Sequence, residues 1–438
     1  NTLVKNLNFE LTDAQKRVVE EAHGDLKKDI PMNRLLQGDV GSGKTIVSIL
    51  ISALTVDSNF QVAVMAPTEI LAQQHFNSFK ILFDHANIKC SLITGKMRKK
   101  ERELIIDELF SGNISIVIGT HALIQEDVVF DKLGLVIIDE QHRFGVEQRS
   151  VLLKKGKHPH FLAMTATPIP RTLSITYHGD MDLSIIDELP KSRFPVITKI
   201  VDPNRLSRVY NFIKSEIKLG RQCMIIYPLV EESEKSDLAA AETAYAELSK
   251  IIFSDFNVGL LHGQMKKDQK EKVMKEFSEN IINIIVATTV IEVGIDIPNA
   301  TVILVEHAER FGLTQLHQLR GRVGRGSYKS YCILTKRNIN HNSIKRLKIM
   351  EDTNDGFLIA DEDLKMRGPG EFFGTKQSGF FKFRIANMIN DGKIIRRARE
   401  TAFKIMKEDP SLNSPKNKII SELFKKYYKD QINKLTSS

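Results

Sequence analysis

Apolar residues come along this chain in short, almost unbroken runs, set between stretches with helical spacing. QVAVMA (61–66), ISIVIGT (114–120), LGLVIID (133–139) and HFLAMTAT (160–167) form a first series. FPVITKIV (194–201), QCMIIYPL (222–229), NVGLLHG (257–263), NIIVATT (283–289), TVILVE (301–306) and SYCILT (330–335) form a second. Runs of this kind suit parallel strands covered on both faces. Their alternation with helical stretches predicts βαβ units and doubly wound sheets. The pattern divides the chain into two α/β lobes, 1–192 and 193–338. They join near LPKSRFP (189–195), whose two prolines and serine suit a hinge. Beyond the two lobes no internal repeat is evident.

After residue 338 the alternation stops, and 339–438 reads as a separate C-terminal element. HNSIKRLKIMEDT (341–353) predicts a helix with Ile344, Leu347 and Met350 on one face. DLKMRGPGEFFGTKQSGF (363–380) has too many glycines and charges for a core strand or a continuous helix. Further on, Ile394, Ala398, Ala402 and Ile405 form a stripe expected to pack. The basic stretch 417–435 predicts an amphipathic helix with Ile420, Phe424, Tyr428 and Ile432 in line. Docking onto the lobes is favoured for it over contact with nucleic acid.

Composition adds a partner class. Of 438 residues, 42% are hydrophobic, enough for several cores, and the net charge is +9. That excess points to a polyanion, although Lys-rich surfaces also serve solubility alone. Cys90, Cys223 and Cys332 lie far apart in or beside apolar runs, which argues for buried thiols in a reducing cytoplasm. No apolar run reaches the roughly 18 residues of a membrane span. The chain starts NTLVKNLNFELT, with neither an initiator Met nor a signal peptide, so it is expected to be a piece of a longer protein.

Chemistry enters at LLQGDVGSGKTIVSIL (35–50). Gly38, Gly41, Gly43, Lys44 and Thr45 follow an apolar strand and open a helix, which is the setting of a P-loop. The glycines free backbone N–H groups to wrap phosphates, and the helix N-terminus adds positive potential. Lys44 is placed for the outer phosphates and the Thr45 hydroxyl for Mg²⁺. The pair Asp139–Glu140 in VIIDEQH (136–142) ends a strand. Asp139 suits the metal and Glu140 suits orienting and deprotonating water. No [NT]KxD stretch marks GTP. Gln15 in FELTDAQ (9–15) has an amide suited to adenine, or it is a surface residue. QLHQLRGRVGRG (315–326) puts Arg322 and Arg325 three apart, on one face of a helix if it is helical. Positive charge from a second lobe is what phosphoryl transfer needs as charge builds in the transition state.

These segments, with APTEILAQQH, IGTHALIQ, TATPIPRT, LLHGQMKKDQK and ATTVIEVGIDIPNAT, resemble superfamily 2 helicases in content and order across both lobes. DEQHRFGVEQR (139–149) and MTATPIPRTLSITYHGDMDLSIIDELP (164–190) are similar to the RecG family of bacterial fork translocases. The related transcription-repair coupling factor usually has Asp-Glu-Glu at motif II, where this chain has Gln141 and His142 after Asp139–Glu140. The resemblance implies RecA-like P-loop lobes followed by a helical hairpin (341–353 with 358–366) and loop. It implies ATP and Mg²⁺ as cofactors, with Gln15 on adenine and Asp296 on the ribose. Arg322 and Arg325 become fingers. Pro67, Thr68, Thr120, His121, Gly263 and Thr288 line the DNA track. His142, Thr165, Thr167, Arg367 and Gln377 couple nucleotide to movement. The implied partners are double-stranded and branched DNA, forks and junctions included, and a single-strand-binding protein, for a monomer in the bacterial cytoplasm associated with the nucleoid. RecG-like proteins also carry an N-terminal oligonucleotide-binding wedge. The adenine motif here begins by residue 12, so a motor without the wedge is expected. An ATP-gated DNA clamp and an RNA helicase stay open as rivals.

Overall fold

The computed structural model describes residues 2–5, 7–167, 181–190, 193–228, 234–288, 297–337, 341–372, 386 and 391–436. They fall into two compact units, one from the N-terminus to Asp363 and one from Leu364 onward. The first holds two parallel sheets. In the first sheet the strands are β1 (Asn33–Gly38), β2 (Gln61–Met65), β3 (Cys90–Ile93), β4 (Ile116–Gly119), β5 (Leu133–Asp139), β6 (His160–Thr165) and β7 (Asp182–Ile186), in spatial order 3-4-2-5-6-1-7. The second sheet has β8 (Ile197–Val201), β9 (Gln222–Ile226), β10 (Val258–Leu261), β11 (Ile284–Ala287), β12 (Ala300–Val305) and β13 (Tyr331–Thr335), in order 10-11-9-12-13-8.

The apolar runs map onto these strands for the reason that predicted them. Val62, Val64, Ile116, Ile118, Leu135 and Ile137 face one core, and Ala63, Met65, Val117, Val136 and Ile138 face the other. These interior strands therefore bury both faces, and polar positions largely disappear from them. The two strands the pattern did not mark, β3 and β7, are the edges of the first sheet. They carry half-buried or exposed positions, so no apolar run announces them.

Shared local devices tie the two sheets together as variants of one plan. At the start of β2, the buried Gln61 amide donates to the carbonyls of Leu109 and Ile114, at 2.7 and 2.8 Å. At the start of β9, Gln222 does the same to Phe277 and Ile282, at 2.5 and 2.8 Å. Past β5 and β12 the chain turns through left-handed residues, Glu140 (φ 49°) and His307 (φ 50°). RFGVEQ (143–148) and RFGLTQ (310–315) follow at the same register. In both, the glycine N–H donates to the glutamine side chain three residues on, at 3.2 Å for Gly145–Gln148 and 3.0 Å for Gly312–Gln315.

Beyond the sheets, the helix His341–Asp352 buries Ser343, Leu347 and Met350. Ile344, expected on that face, is exposed instead, because Ser343 takes the inward position one residue earlier. The next helix, Gly356–Phe372, runs through Gly368, Pro369 and Gly370, so the stretch from 363 to 372 is helical where the composition argued for a loop, and 373–380 lies outside the described residues. In the second unit, the helices Gly392–Glu408 and Lys418–Thr436 are joined by a turn organised on Asp409. Its carboxylate accepts from Asn413 N, Ser414 N and Asn417 Nδ2 at 2.8 to 3.0 Å. Ile394 and Ala398, expected to pack, are exposed, whereas the neighbouring Ile395 is buried. Ile420 and Phe424 are also exposed, and Tyr428 and Ile432 lie outside the described side chains.

Replacing Gln222 by Leu removes the only donor that Gln222 supplies to two inward carbonyls. An unsatisfied buried polar group costs about 1–3 kcal/mol, so Gln222→Leu is expected to lower unfolding stability by roughly 2–4 kcal/mol in a urea titration of the full chain. An unchanged midpoint would show that the clasp contributes nothing.

Candidate active site

The carboxyl ends of β1, β5 and β6, adjacent in the sheet, carry the three groups of the site: the loop from Gly38, the pair Asp139–Glu140, and Thr165. This is where doubly wound sheets bind ligands. Gly41 (φ 77°) and Gly43 (φ 89°) take left-handed conformations that L side chains rarely adopt. Gly43 caps the helix Lys44–Asp57, whose first N–H groups face the loop. Lys44 Nζ donates to the carbonyls of Gly38 and Asp39 at 2.9 and 3.0 Å. Desolvation pushes its ammonium below the ordinary lysine range, and Glu140, Asp139 and Asp39 oppose that. Thr45 begins the same helix, half-buried.

Asp139 and Glu140 are driven apart electrostatically. Burial raises Asp139, but the hydrogen bond and charge of His75, 2.8 Å from its Oδ2, together with Lys44 and the Glu140 N–H, outweigh burial and hold the carboxyl below its usual range. Glu140 is raised, first by burial and then by Asp139 beside it. The ionised form of one carboxyl is thus favoured, as suits a hard oxygen ligand, and the other takes up a proton more readily, as suits a proton acceptor. This donor set, next to a glycine cradle, fits Mg²⁺ bound together with phosphates. Sequence reasoning missed His75, although it closes the quoted motif APTEILAQQH. His142 Nδ1 lies 3.6 Å from Glu140 Oε2. Burial and Arg143 hold its imidazole below its usual range, which makes a neutral neighbour.

Gln15 is buried, and its amide is engaged on both sides. Oε1 accepts from Thr12 N at 3.0 Å, and Nε2 donates to Ser42 O at 2.8 Å. It therefore braces the phosphate loop, and the surface alternative is excluded. Arg322 and Arg325 do reach the cleft. Arg322 is buried and its charge acts on Glu140, and the Arg325 charge acts on Lys44. They do not share a helix face: the helix Leu313–Arg320 stops before them, and Arg325 Nε folds back to Gly321 O at 3.1 Å. The glycines at 321 and 324 break the helix that the spacing suggested.

The two sheets meet through several contacts that the sequence did not announce. Gln318 Nε2 donates to Thr167 Oγ1 at 2.9 Å, and Thr165 Oγ1 accepts from Thr167 N at 3.1 Å. Arg193 donates to Gly324 O and to Val40 O. Lys96 pairs with Asp268 and Glu271 at 2.8 and 2.7 Å. The track candidates all follow strand ends: Pro67 and Thr68 after β2, Thr120 and His121 after β4, Gly263 after β10 and Thr288 after β11. His121 and Gly263 are exposed and Pro67 is half-buried. Thr68 caps the helix Glu69–Asp84. Thr120 and Thr288 are buried, so they present their turns rather than their hydroxyls. Asp296 and Gln377 lie outside the described residues. Arg367 is on the helix Gly356–Phe372, with its side chain outside them.

Residues 12–175 match the DEAD/DEAH box helicase family, 204–327 the helicase conserved C-terminal domain, and 353–438 the family described as ATP-dependent DNA helicase RecG, domain 3, C-terminal. The chain is 51% identical over 408 residues to the ATP-dependent DNA helicase RecG of Synechocystis sp., covering 93% of this chain and 49% of that one. It is 50% identical over 437 residues to that of Aquifex aeolicus, covering 98% and 55%. The chain belongs to the RecG family. A solved structure titled "Structure of RecG bound to three-way DNA junction" is 46% identical with a TM-score of 0.77, over 90% of this chain and 51% of that one. The chain thus spans about half the length of the RecG relatives it matches.

Because the Glu140 carboxyl is raised in the fold, its ionised form subtracts stability above the unfolded carboxylate range and subtracts nothing when both states are protonated. Glu140→Gln should therefore melt higher than the parent at pH 7.5, and the gain should vanish towards pH 4. Equal melting temperatures at pH 7.5 would contradict the raised pKa.

Proposed function

We propose that this chain is the ATP-hydrolysing motor of a DNA translocase that works on duplex and branched DNA. The observation that carries it is convergence. Lys44, Asp139 and Glu140 from the first sheet and Arg322 and Arg325 from the loop beyond the second share one electrostatic cleft. Near 50% identity to RecG helicases along almost the whole chain supports the same reading. On this reading Gly38, Gly41 and Gly43 cradle the phosphates, Lys44 neutralises them, and Glu140 orients and deprotonates the attacking water. Arg322 and Arg325 meet the charge that grows in the transition state. Thr45 and Asp139 are the residues that would hold Mg²⁺, which supplies charge neutralisation on the phosphates. Gln15 would meet adenine from its braced position, and Asp296 the ribose.

DNA would lie across the strand ends that carry Pro67, Thr68, Thr120, His121, Gly263 and Thr288, held through its phosphates and so without sequence preference. The Gln318–Thr167 hydrogen bond joins the two sheets and supports roles for Thr165 and Thr167. His142, Arg367 and Gln377 complete the coupling set. Lobes of 1–192 and 193–338 with a C-terminal element of 339–438 suit sheets that end at Ile186 and begin again at Ile197. One chain supplies both sides of the cleft, which suits a monomer. Three buried or half-buried free cysteines suit the bacterial cytoplasm. A single-strand-binding protein is a partner on the family resemblance alone. An ATP-gated clamp would share the cleft and differ only in not travelling.

Glu140→Gln is expected to bind ATP and lose turnover. Arg325→Ala should slow duplex-stimulated hydrolysis by about 10³-fold, the scale of an arginine finger. ATP-dependent displacement of a triplex-forming strand separates translocase from clamp. Hydrolysis without displacement would reject the translocase, and full turnover in Glu140→Gln would reject the assigned base.

A further inference from the structure

The phosphate loop is gripped from the second sheet at its first turn. Asp39, just after Gly38, meets His317 of the helix Leu313–Arg320, with Oδ1 and Nε2 2.6 Å apart. Only 4% of the His317 side chain and 16% of the Asp39 side chain is exposed. Arg320 Nη2 lies 3.1 Å from His317 Nδ1. A guanidinium can only donate, so Nδ1 accepts, the imidazole proton sits on Nε2, and that N–H donates to Asp39. Arg320 is itself fixed, donating to the carbonyls of Met350 and Thr353 at 2.9 and 2.8 Å. The tautomer is therefore set by the end of the helix His341–Asp352.

Three further contacts lock the same place. A methyl group at Gly321 would lie 2.8 Å from Val40 Cβ, so helix end and loop approach as closely as glycine permits. Gly321 O accepts from Arg325 Nε, and Arg193 bridges Gly324 O to Val40 O. The segment that carries both arginines is thus referenced to Asp39 and Val40. Above the pair sits Gly356, the first residue of the helix Gly356–Phe372. A methyl there would fall 2.6 Å from His317 Nε2 and 3.0 Å from Asp39 Oδ2. Its backbone is not left-handed, so contact with the pair, not conformation, is what disfavours a side chain there.

We propose that Asp39 and His317 are a positioning pair whose hydrogen bond sets where Arg322 and Arg325 stand over the phosphate loop, with Gly356 seating the following helix directly on it. Neither residue touches the phosphates on this reading. Their effect passes through the arginines, and the proposal rests on the role given to Arg325 above. The phosphate loop, the arginine segment and the helix towards the C-terminal unit then share one contact, and a shift in any of them is felt by the other two.

The test is a double-mutant cycle on the full chain, reading ATP turnover with saturating duplex DNA. Asp39→Ala should lower kcat by about tenfold to a hundredfold and change KM for ATP by less than about threefold, the pattern of an interaction felt in the transition state. Asp39→Asn keeps an oxygen that accepts the Nε2 proton and should recover most of kcat. Gly356→Ala should resemble Asp39→Ala without altering either partner. In an Arg325→Ala background, Asp39→Ala should add less than about threefold, because coupled residues are not additive. Full additivity, or an Asp39→Asn no better than Asp39→Ala, would reduce the pair to a structural contact and overturn the proposal. An Asp39→Ala enzyme with normal kcat beside a slow Arg325→Ala enzyme sinks the pair alone. Normal kcat in Arg325→Ala sinks the arginine reading and the pair together.

Discussion

The site depends on keeping several charges in one place with little water. The Lys44 ammonium is desolvated and stands among three carboxylates, Glu140, Asp139 and Asp39, while Arg325 reaches it from the other sheet. None of these groups would be stable there alone, because an unpaired buried charge is expensive. Across the sheets, Arg322 acting on Glu140 and His317 bonded to Asp39 offset that cost, while Arg325 and Lys44 repel each other. His75 and His317, with Lys44 nearby, hold Asp139 and Asp39 below the ordinary carboxylate range, while burial and the neighbouring Asp139 raise Glu140 and make it the better proton acceptor.

The two sheets share a plan, but only the first carries a glycine-rich loop with a lysine after its opening strand. β1 leads into glycines and a lysine, whereas β8 leads into Asp202-Pro203-Asn204-Arg205, with no glycine to free its backbone. The counterpart of Asp139 after β12 is Glu306, which is fully buried, accepts from Thr335 Oγ1 at 2.8 Å and has Arg337 3.7 Å away. That acid is committed to the fold. The second sheet contributes instead from the helix and loop after β12, which deliver His317, Gln318, Arg322 and Arg325 to the first.

Much of this was legible in the sequence because burial on two faces leaves a clear mark. The interior strands appear as apolar runs, and the phosphate loop appears because its glycines, lysine and threonine are tied to fixed backbone geometry. The edge strands β3 and β7 were not legible, because their half-covered positions break the apolar run, whereas the half-covered edges β8 and β10 kept runs that could be marked. The shared helix face that the spacing offered for Arg322 and Arg325 does not form, because spacing alone does not reveal that the helix ends at Arg320, before Gly321 and Gly324. His75, Gln318 and the Asp39–His317 pair join residues 64 to 278 positions apart. Pairings at that range leave no periodic signal, and only the folded chain brings them together.

The proposed motor requires the two sheets to draw together when ATP binds, so that charge from one meets phosphate held by the other. Lys99 and Lys275 have side chains 90% and 74% exposed, one on each side of the Lys96 ion pairs that bridge the sheets. The most direct measurement is the distance between labels at Lys99→Cys and Lys275→Cys, followed through ATP binding and turnover on duplex DNA. The account predicts a distance change on ATP binding that persists in Glu140→Gln and disappears in Lys44→Ala. A distance indifferent to ATP while hydrolysis proceeds would contradict it.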